Sequence, residues 1–338
     1  MPLFDVTIAG ELNLDLILYG LPDQLPPERE LLADRMALTL GSSSAIVAHN
    51  LAALGSRVGF QSRIGDDDLG PIALDRLRHA GVDVSHVRVV PGTAKTGLTV
   101  ILPRTGWRNI LTYSGTIAEF CWDDLDLDYL ANSRHFHLSS YYLQSALRPR
   151  VGELFQRLKK SGLTISLDTN DDPADEWQGG LQDILRYVDI LLPNEREATK
   201  IAGTEDLEPA IEKLAKLVPL LVVKLGRQGA LAQRGNERFV IPSSIRPRSR
   251  SASLLSRRQP RRCTLHHPPR RHRSLPRRRT PREIFQGQGR LRPPMRSVGF
   301  LSIPFPLGKP RVSARAMKVN WIFQQLGSST EPTSNLFR

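Results

Sequence analysis

The sequence predicts an α/β fold in which helices cover both faces of a doubly wound, mostly parallel sheet. The run from Leu220 to Leu231 is apolar and rich in β-branched residues, breaks at a Gly-x-x-Gly turn and then resumes. Such a run is typical of a buried strand, and a turn of this kind lies where ligands collect in doubly wound folds. From residue 135 onward short strands alternate with helices, which indicates parallel strands joined by right-handed crossovers.

The segments between residues 135 and 217 support this fold class. Four apolar residues recur at the spacing of an amphipathic helix, namely Val151, Leu154, Phe155 and Leu158. This periodicity and the following Gly162 predict a helix over 151–161. We also predict strands over 135–138, 163–167 and 188–192, and helices over 181–187, 195–201 and 208–217.

The N-terminal segment begins with a predicted strand over 4–9, closed by Gly10. Asn13 and Asp15 then alternate with leucines, so an extended chain would point both polar side chains to one face. One interpretation is an edge strand with a solvated face. The other is a pair of side chains that bond the hydroxyls of a polyol.

A helix is predicted over 45–55, directly after Gly41 and three serines. Serine is a good N-cap, and Gly55 is a C-terminal stop. The free backbone N–H groups of such a helix start can bind a ligand, although a plainly packed helix has the same pattern. A second helix, from Pro71 to Gly81, follows the aspartates 66–68, which either favour its dipole or bind a divalent cation.

A hairpin is predicted over residues 96–113, with strands over 96–102 and 109–113 and a turn at Gly106. The hairpin does not fit the alternation of strands and helices. We therefore expect it to leave the main sheet as a flap.

The net charge of +13 is distributed unevenly along the 338 residues. Residues 243–338 contain 22 Lys and Arg against 2 Glu and no Asp, whereas residues 1–242 are mildly acidic. The last 96 residues are rich in Arg, Pro and Ser and lack apolar periodicity, which predicts a disordered or irregular tail. A basic extension that contacts nucleic acid is one interpretation of this tail.

The two cysteines, Cys121 and Cys263, form no disulfide framework and suit a reducing compartment. The first 20 residues lack the pattern of a signal peptide, and no run approaches the roughly 18 apolar residues of a spanning helix. The sequence thus predicts a cytoplasmic protein without a membrane partner.

Several motifs, in order and at family-like spacing, together resemble the PfkB/ribokinase family of carbohydrate kinases over about residues 4–242. They are Gly10 to Asp15, Gly41 to Gly55, Ile64 to Gly70, Thr96-Gly97, Asp168 to Asn170, Asn194 to Glu197 and Lys224 to Gly229. The resemblance implies a ribokinase-like kinase domain over 1–242, with a small β-flap lid from about 11–40 and 96–113. Residues 243–338 would then be a tail unrelated to the family.

The resemblance further implies ATP-dependent phosphorylation of a sugar hydroxyl, with Mg²⁺ as the second cofactor. Asn13 and Asp15 would hold the sugar, backed by Gly41, Ser42 and Ser43. The partners implied are a small sugar and ATP, and the lid could join two copies into a homodimer.

On the nucleotide side, Asn194 and Glu197 resemble the Asn-x-x-Glu element of the family. It positions phosphate and Mg²⁺, so Glu197 would act on the metal through water. Lys224, Gly226 and Gly229 would border the nucleotide.

Two departures from the family pattern bear on function. Ile46 stands where many members place a sugar-binding Asn, which argues against ribose as the substrate. The family's Asp-Thr-Thr-Gly-Ala-Gly-Asp segment, with its anion hole and general base, has no counterpart, since the corresponding region reads Arg246 to Ser253.

We favour a frameshift near codon 243 over a genuine basic extension, since a one-base change in the DNA should then restore Gly-Ala-Gly-Asp. Loss of a general base alone costs about 10²–10⁴ in rate. The chain as written is therefore predicted to be an inactive kinase. The alternatives are a non-catalytic sugar binder and a nucleic-acid binder.

Overall fold

The computed structural model describes residues 2–92 and 94–243. The strands of this part of the chain are β1 Phe4–Ala9, β2 Asn13–Tyr19, β3 Arg35–Leu40, β4 Val58–Gly65, β5 Asp83–Val90, β6 Gly97–Pro103, β7 Arg108–Tyr113, β8 Ser133–Ser139, β9 Thr164–Asp168, β10 Ile190–Leu191, β11 Leu220–Lys224, β12 Ala230–Arg234 and β13 Glu237–Ile241. The helices are α1 Ser43–Ala53, α2 Leu69–His79, α3 Thr116–Glu119, α4 Leu127–Ala131, α5 Val151–Lys160, α6 Leu181–Leu185, α7 Glu195–Ala202 and α8 Leu207–Leu214.

Nine strands form the main sheet, in the order β13-β12-β11-β10-β9-β8-β1-β4-β5. Neighbouring strands are parallel from β11 to β5, and β12 and β13 are antiparallel. After β1 the chain builds outward through β4 and β5, and it then returns to the other side of β1 as β8. The carboxyl ends of β1 and β8 therefore flank the switch point at which doubly wound sheets bind ligands.

Helices cover both faces of this sheet. Ile8 and Ala9 are adjacent in β1 but belong to different apolar clusters, so the clusters lie on opposite faces. One cluster packs α4 to α8 against β8, β9 and β11, with Phe136 and Phe155 fully buried. The other packs α1 and α2 against β1 and β4. The predicted doubly wound α/β fold is confirmed.

A second sheet of four strands, here called the lid, has the order β3-β2-β6-β7. Its register aligns Asp15 with Thr39 and Thr99, and Thr99 with Thr112, so these side chains share one face. On the other face Leu14 joins the apolar cluster of α1 and α2. The polar face of the lid is therefore the face that can meet a ligand.

The first predicted strand, the hairpin and the helix after Gly41 are confirmed. The sequence did not predict β3, β5, α3 or α4. β5 is partly exposed at the sheet edge and its polar residues hide the apolar pattern, while α3 and α4 have only four and five residues. The expectations for the basic tail, including nucleic-acid binding, concern residues that lie outside the described part, apart from Ser243. None of the described helices has the length and hydrophobicity of a membrane span.

Replacing Leu154, which α5 buries completely against the sheet, should test this core. We expect Leu154→Ala to lower the free energy of unfolding by about 2–5 kcal/mol, because a cavity adds to the lost apolar burial. Leu32, which is 81% exposed, supplies the control, and Leu32→Ala should change it by less than about 0.5 kcal/mol. Urea unfolding followed by circular dichroism measures both. Equal losses in the two variants would contradict the assigned core.

Candidate active site

Asn13 is buried at the start of β2, just after the switch point. Its Nδ2 donates to Thr99 Oγ1 (3.0 Å), which in turn lies 3.2 Å from Thr112 Oγ1. Within the described residues, Asn13 Oδ1 is buried without a hydrogen-bond partner. A buried unpaired acceptor is costly, so this atom is suited to accept a bond from a ligand hydroxyl.

Gly41 allows Asn13 and Asp15 to approach the start of α1. A Cβ at Gly41 would lie 2.2 Å from Asp15 Oδ1 and 2.5 Å from Asn13 Oδ1, which is closer than atoms can pack. Burial raises the pKa of Asp15 to about 6, and the nearby Arg108 partly opposes this effect. The structure thus brings together Asn13, Asp15 and Gly41, while their role in holding a sugar stays a prediction.

Ser42 and Ser43 begin α1. Ser42 is the N-cap, and its Oγ accepts from the Ala45 N–H (3.2 Å) and donates to the Glu11 carbonyl (2.6 Å). Its φ of 61° is in the left-handed region, a conformation that costs a non-glycine residue about 1–3 kcal/mol. Ser43 Oγ accepts a hydrogen bond of 2.6 Å from Asn170 Nδ2.

Glu11 is a site residue that the sequence analysis did not identify. Its side chain is 2% exposed and accepts hydrogen bonds from the Ser44 N–H (3.1 Å), the Ser44 hydroxyl (2.7 Å) and the Ser140 hydroxyl (2.6 Å). Asn170 Nδ2 also donates to Ser140 Oγ (2.6 Å). Glu11 therefore connects the start of α1 to the ends of β8 and β9. Its only sequence signal is its place directly after Gly10.

Lys224 lies at the carboxyl end of β11 in a buried ion pair. Its Nζ is 2.8 and 2.7 Å from the two oxygens of Asp168 and 3.8 Å from Glu197. Burial alone would lower the pKa of Lys224, but Asp168 and Glu197 outweigh it and the pKa lies above the ordinary value. Burial raises the pKa of Glu197 to about 7, which Lys224 opposes and Asp168 supports. No sequence motif predicts the pairing of Lys224 with Asp168.

Asn194 and Glu197 form a capping box at the start of α7. Asn194 Oδ1 accepts from the Glu197 N–H (2.8 Å), and Glu197 Oε2 accepts from the Asn194 N–H (2.8 Å). This arrangement alone stabilises a helix start. Both residues nevertheless lie beside Lys224, because Asn194 and Lys224 form an isolated parallel β-bridge. Their nucleotide role stays a prediction.

The two predicted nucleotide glycines follow β11. Gly226 has a φ of 53°, and a Cβ added there would meet open space. Only the backbone conformation therefore favours glycine over other residues at this position. At Gly229 (φ 104°) a Cβ would lie 1.9 Å from the Ile241 carbonyl oxygen, so glycine is needed for the contact with β13. Packing accounts for Gly229 whether or not a nucleotide binds, and both nucleotide roles stay predictions.

The aspartates before α2 do not form a cation site within the described residues. Asp67 Oδ1 accepts from the backbone N–H groups of Leu69 and Gly70, and its Oδ2 accepts from that of Thr96. Asp67 therefore caps α2 and ties it to the lid strand β6. The capping interpretation is the one that the geometry supports.

Asp15 gives a prediction about stability and pH. Its pKa is 3.8 in an unfolded chain and about 6 in the fold, so the folded protein holds the proton more tightly. The free energy of unfolding therefore falls as the pH rises from about 4 to about 6, because Asp15 ionises more readily in the unfolded chain than in the fold. We expect Asp15→Asn to be more stable than the wild type at pH 8, by about 1–3 kcal/mol, and to lose this advantage near pH 4. Urea unfolding at both pH values measures the difference.

Asp123→Asn, at an exposed aspartate, is the matched control and should show no comparable gain at pH 8. If the difference in free energy of unfolding between Asp15→Asn and the wild type is the same at both pH values, ionisation of Asp15 does not destabilise the fold.

Comparisons with known proteins place this geometry in a family. A model of the pfkB family of carbohydrate kinases matches residues 4–248. An ATP-dependent 6-phosphofructokinase from Thermoanaerobacterium thermosaccharolyticum is 26% identical over 243 residues, which cover 69% of this chain and 72% of that protein.

Two solved structures share the fold. Adenosine kinase from Sinorhizobium meliloti superposes with a TM-score of 0.63 at 23% identity, covering 72% of this chain and 81% of that one. A ribokinase II candidate from E. coli, in complex with ATP and Mg²⁺, has a TM-score of 0.61 at 24% identity and covers 72% and 80%. Because the family match spans most of the sequence and the fold agrees with it, the chain belongs to the PfkB family of carbohydrate kinases.

Proposed function

We propose that this chain binds a sugar through Asn13 and Asp15 on the kinase scaffold of its family. The observation that supports this most directly is the buried, unpaired Oδ1 of Asn13 within the described residues. It lies beside the Asp15 carboxylate, across the gap that Gly41 leaves open. Two adjacent acceptors in a partly buried site suit the donating hydroxyls of a polyol, and the first turn of α1 with Ser42 and Ser43 backs them.

ATP and Mg²⁺ are the proposed cofactors of the same scaffold. Asn194 and Glu197 offer the oxygen ligands that Mg²⁺ prefers, with Glu197 acting through water. Lys224 offers a cation for phosphate, although Asp168 holds it in the present structure. The turn from Gly226 to Gly229 follows directly, and the ribokinase II candidate solved with ATP and Mg²⁺ has the same fold.

We further propose that phosphoryl transfer by this chain is negligible. Residues 243–338 contain no Asp, so the family's general base is not encoded after the Lys224 strand. Within the described site, Glu11 is occupied by serines and Asp168 by Lys224. Asp15, next to Gly41 and the start of α1, is proposed to bind the sugar and not to act as the base.

Sugar binding can be measured by titration calorimetry of the full chain with D-fructose, D-ribose, D-glucose and cytidine. We expect at least one of these ligands to bind. The double variant Asn13→Ala/Asp15→Ala should weaken binding by about 100-fold or more, since two hydrogen-bonding groups are lost. Ser161→Ala, at an exposed serine after α5, should leave the affinity unchanged. Absence of heat with every ligand would refute the sugar-binding proposal.

The same proteins should be tested for sugar-dependent release of ADP in a coupled assay. We expect rates at least 10²–10⁴-fold below the ordinary range of 1–10³ s⁻¹, because no base is positioned for transfer. Ordinary rates that Asp15→Asn abolishes would identify Asp15 as the base and would overturn the proposed inactivity.

We also propose that a second copy of the chain pairs with the lid. The edge strand β7 exposes Ile110, Leu111 and Tyr113 by more than half, and such an edge is prone to pair with another chain. Analytical ultracentrifugation should give twice the chain mass of 37.8 kDa, and Leu111→Lys should shift it to the monomer. Leu217→Lys, after α8, is the control. A monomeric wild type would refute the dimer.

The cytoplasmic location stays a prediction.

A further inference from the structure

The hydrogen bonds of Glu11 fix the direction of a chain of bonds that reaches the candidate sugar site. An ionised carboxylate only accepts hydrogen bonds, so the Ser140 hydroxyl donates its single proton to the Glu11 carboxylate (2.6 Å). The Ser140 oxygen must therefore accept from its other neighbour, Asn170. This requirement fixes the orientation of the Asn170 amide, with Nδ2 toward Ser140.

The second proton of the same Nδ2 donates to Ser43 Oγ at 2.6 Å. The Ser43 oxygen is then an acceptor in this bond, and its own proton remains available to a ligand. Both of these bonds use Nδ2, and within residues 2–92 and 94–243 no hydrogen bond reaches Asn170 Oδ1. The network thus presents one donor, the Ser43 hydroxyl, and one acceptor, Asn170 Oδ1, on neighbouring side chains.

The backbone around this pair is held in costly conformations. Ser42, Ser140 and Asn170 all have positive φ angles, of 61°, 53° and 53°. Such conformations are unfavourable for a residue with a side chain and persist where the surroundings impose them, often at ligand sites. Three of the six non-glycine residues with positive φ in the described chain meet in this one network. Two of them, Ser140 and Asn170, bond each other, and the third, Ser42, directly precedes Ser43.

We propose that the Ser43 hydroxyl and Asn170 Oδ1 together bind one hydroxyl of the sugar, and that Glu11 is the positioning residue that orients them. A sugar hydroxyl can accept from Ser43 and donate to Asn170 at once. Ser43 is two residues from Gly41, so this pair contacts the sugar that Asn13 and Asp15 hold from the lid. The inference rests on the proposed sugar binding and adds a second contact to it, made by Ser43 at the start of α1 and Asn170 after β9, here called the floor-side contact.

Deoxy analogues test the contact directly. The full chain is titrated with D-fructose, D-ribose, D-glucose and the monodeoxy analogues of whichever sugar binds. For the wild type we expect one analogue to bind about tenfold more weakly than its parent, because the site's polar pair is then left unpaired. Asn170→Ala and Ser43→Ala should each weaken binding of the parent sugar by a similar factor and should bind that analogue as well as the parent.

Glu11→Ala tests the positioning role, because Ser140 then loses the acceptor that fixes its hydroxyl. The Asn170 amide is no longer held with Nδ2 toward Ser140, so discrimination against the analogue should fall, with affinity for other deoxy analogues following the wild type. Glu11→Gln is the conservative variant and should retain discrimination, because the Ser44 N–H keeps an amide oxygen at the position that also accepts from Ser140. Ser161→Ala should retain full discrimination. Should Glu11→Ala fail to fold, Ser140→Ala makes the same test, because it removes the acceptor of the Asn170 amide itself.

The outcomes separate the two proposals. If the sugar binds in a manner that depends on Asn13 and Asp15, but Asn170→Ala and Ser43→Ala discriminate among the analogues as the wild type does, the floor-side contact is wrong and sugar binding stands. If no sugar binds, or binding ignores Asn13 and Asp15, both proposals fall.

Discussion

A buried carboxylate at the sheet's switch point holds the candidate site together. Glu11 follows β1 and is sealed from solvent, where an unpaired charge would be prohibitively costly. The cost is met by donors from the start of α1 and the end of β8, through Ser44 and Ser140. Since these donors must stay in place for Glu11 to remain buried, the carboxylate dictates how the strand ends and the helix start meet.

The two halves of the site differ in how their polar groups are satisfied. On the proposed sugar side, Asn13 Oδ1 lacks a partner within the described residues, so a ligand can improve the hydrogen bonding of the protein. On the proposed nucleotide side, Lys224 forms ion pairs with Asp168 and Glu197. A phosphate that recruits Lys224 must therefore compete with Asp168, and binding there has to offset the loss of a buried ion pair.

The fold and the placement of Asn13, Asp15 and Gly41 in the chain could be predicted from the sequence because both depend on local patterns, whereas the sugar-binding role of these residues stays a prediction. The alternation of Asn13 and Asp15 with leucines follows from the period of a strand, and Gly41 with its serines marks a helix start. Glu11 could not be found in this way, because its partner Ser140 lies 129 residues away and serines occur on any surface. The same holds for Lys224 and Asp168, which are 56 residues apart and meet only once the order of the strands is known.

The residues that are proposed to hold the sugar are distributed over several elements that precede residue 243. β2 places Asn13 and Asp15, the start of α1 places Ser43, and the end of β9 places Asn170. Under the proposed function, a missing general base removes proton transfer from the sugar hydroxyl, whereas the contacts proposed for the ground state of the sugar lie on these earlier elements.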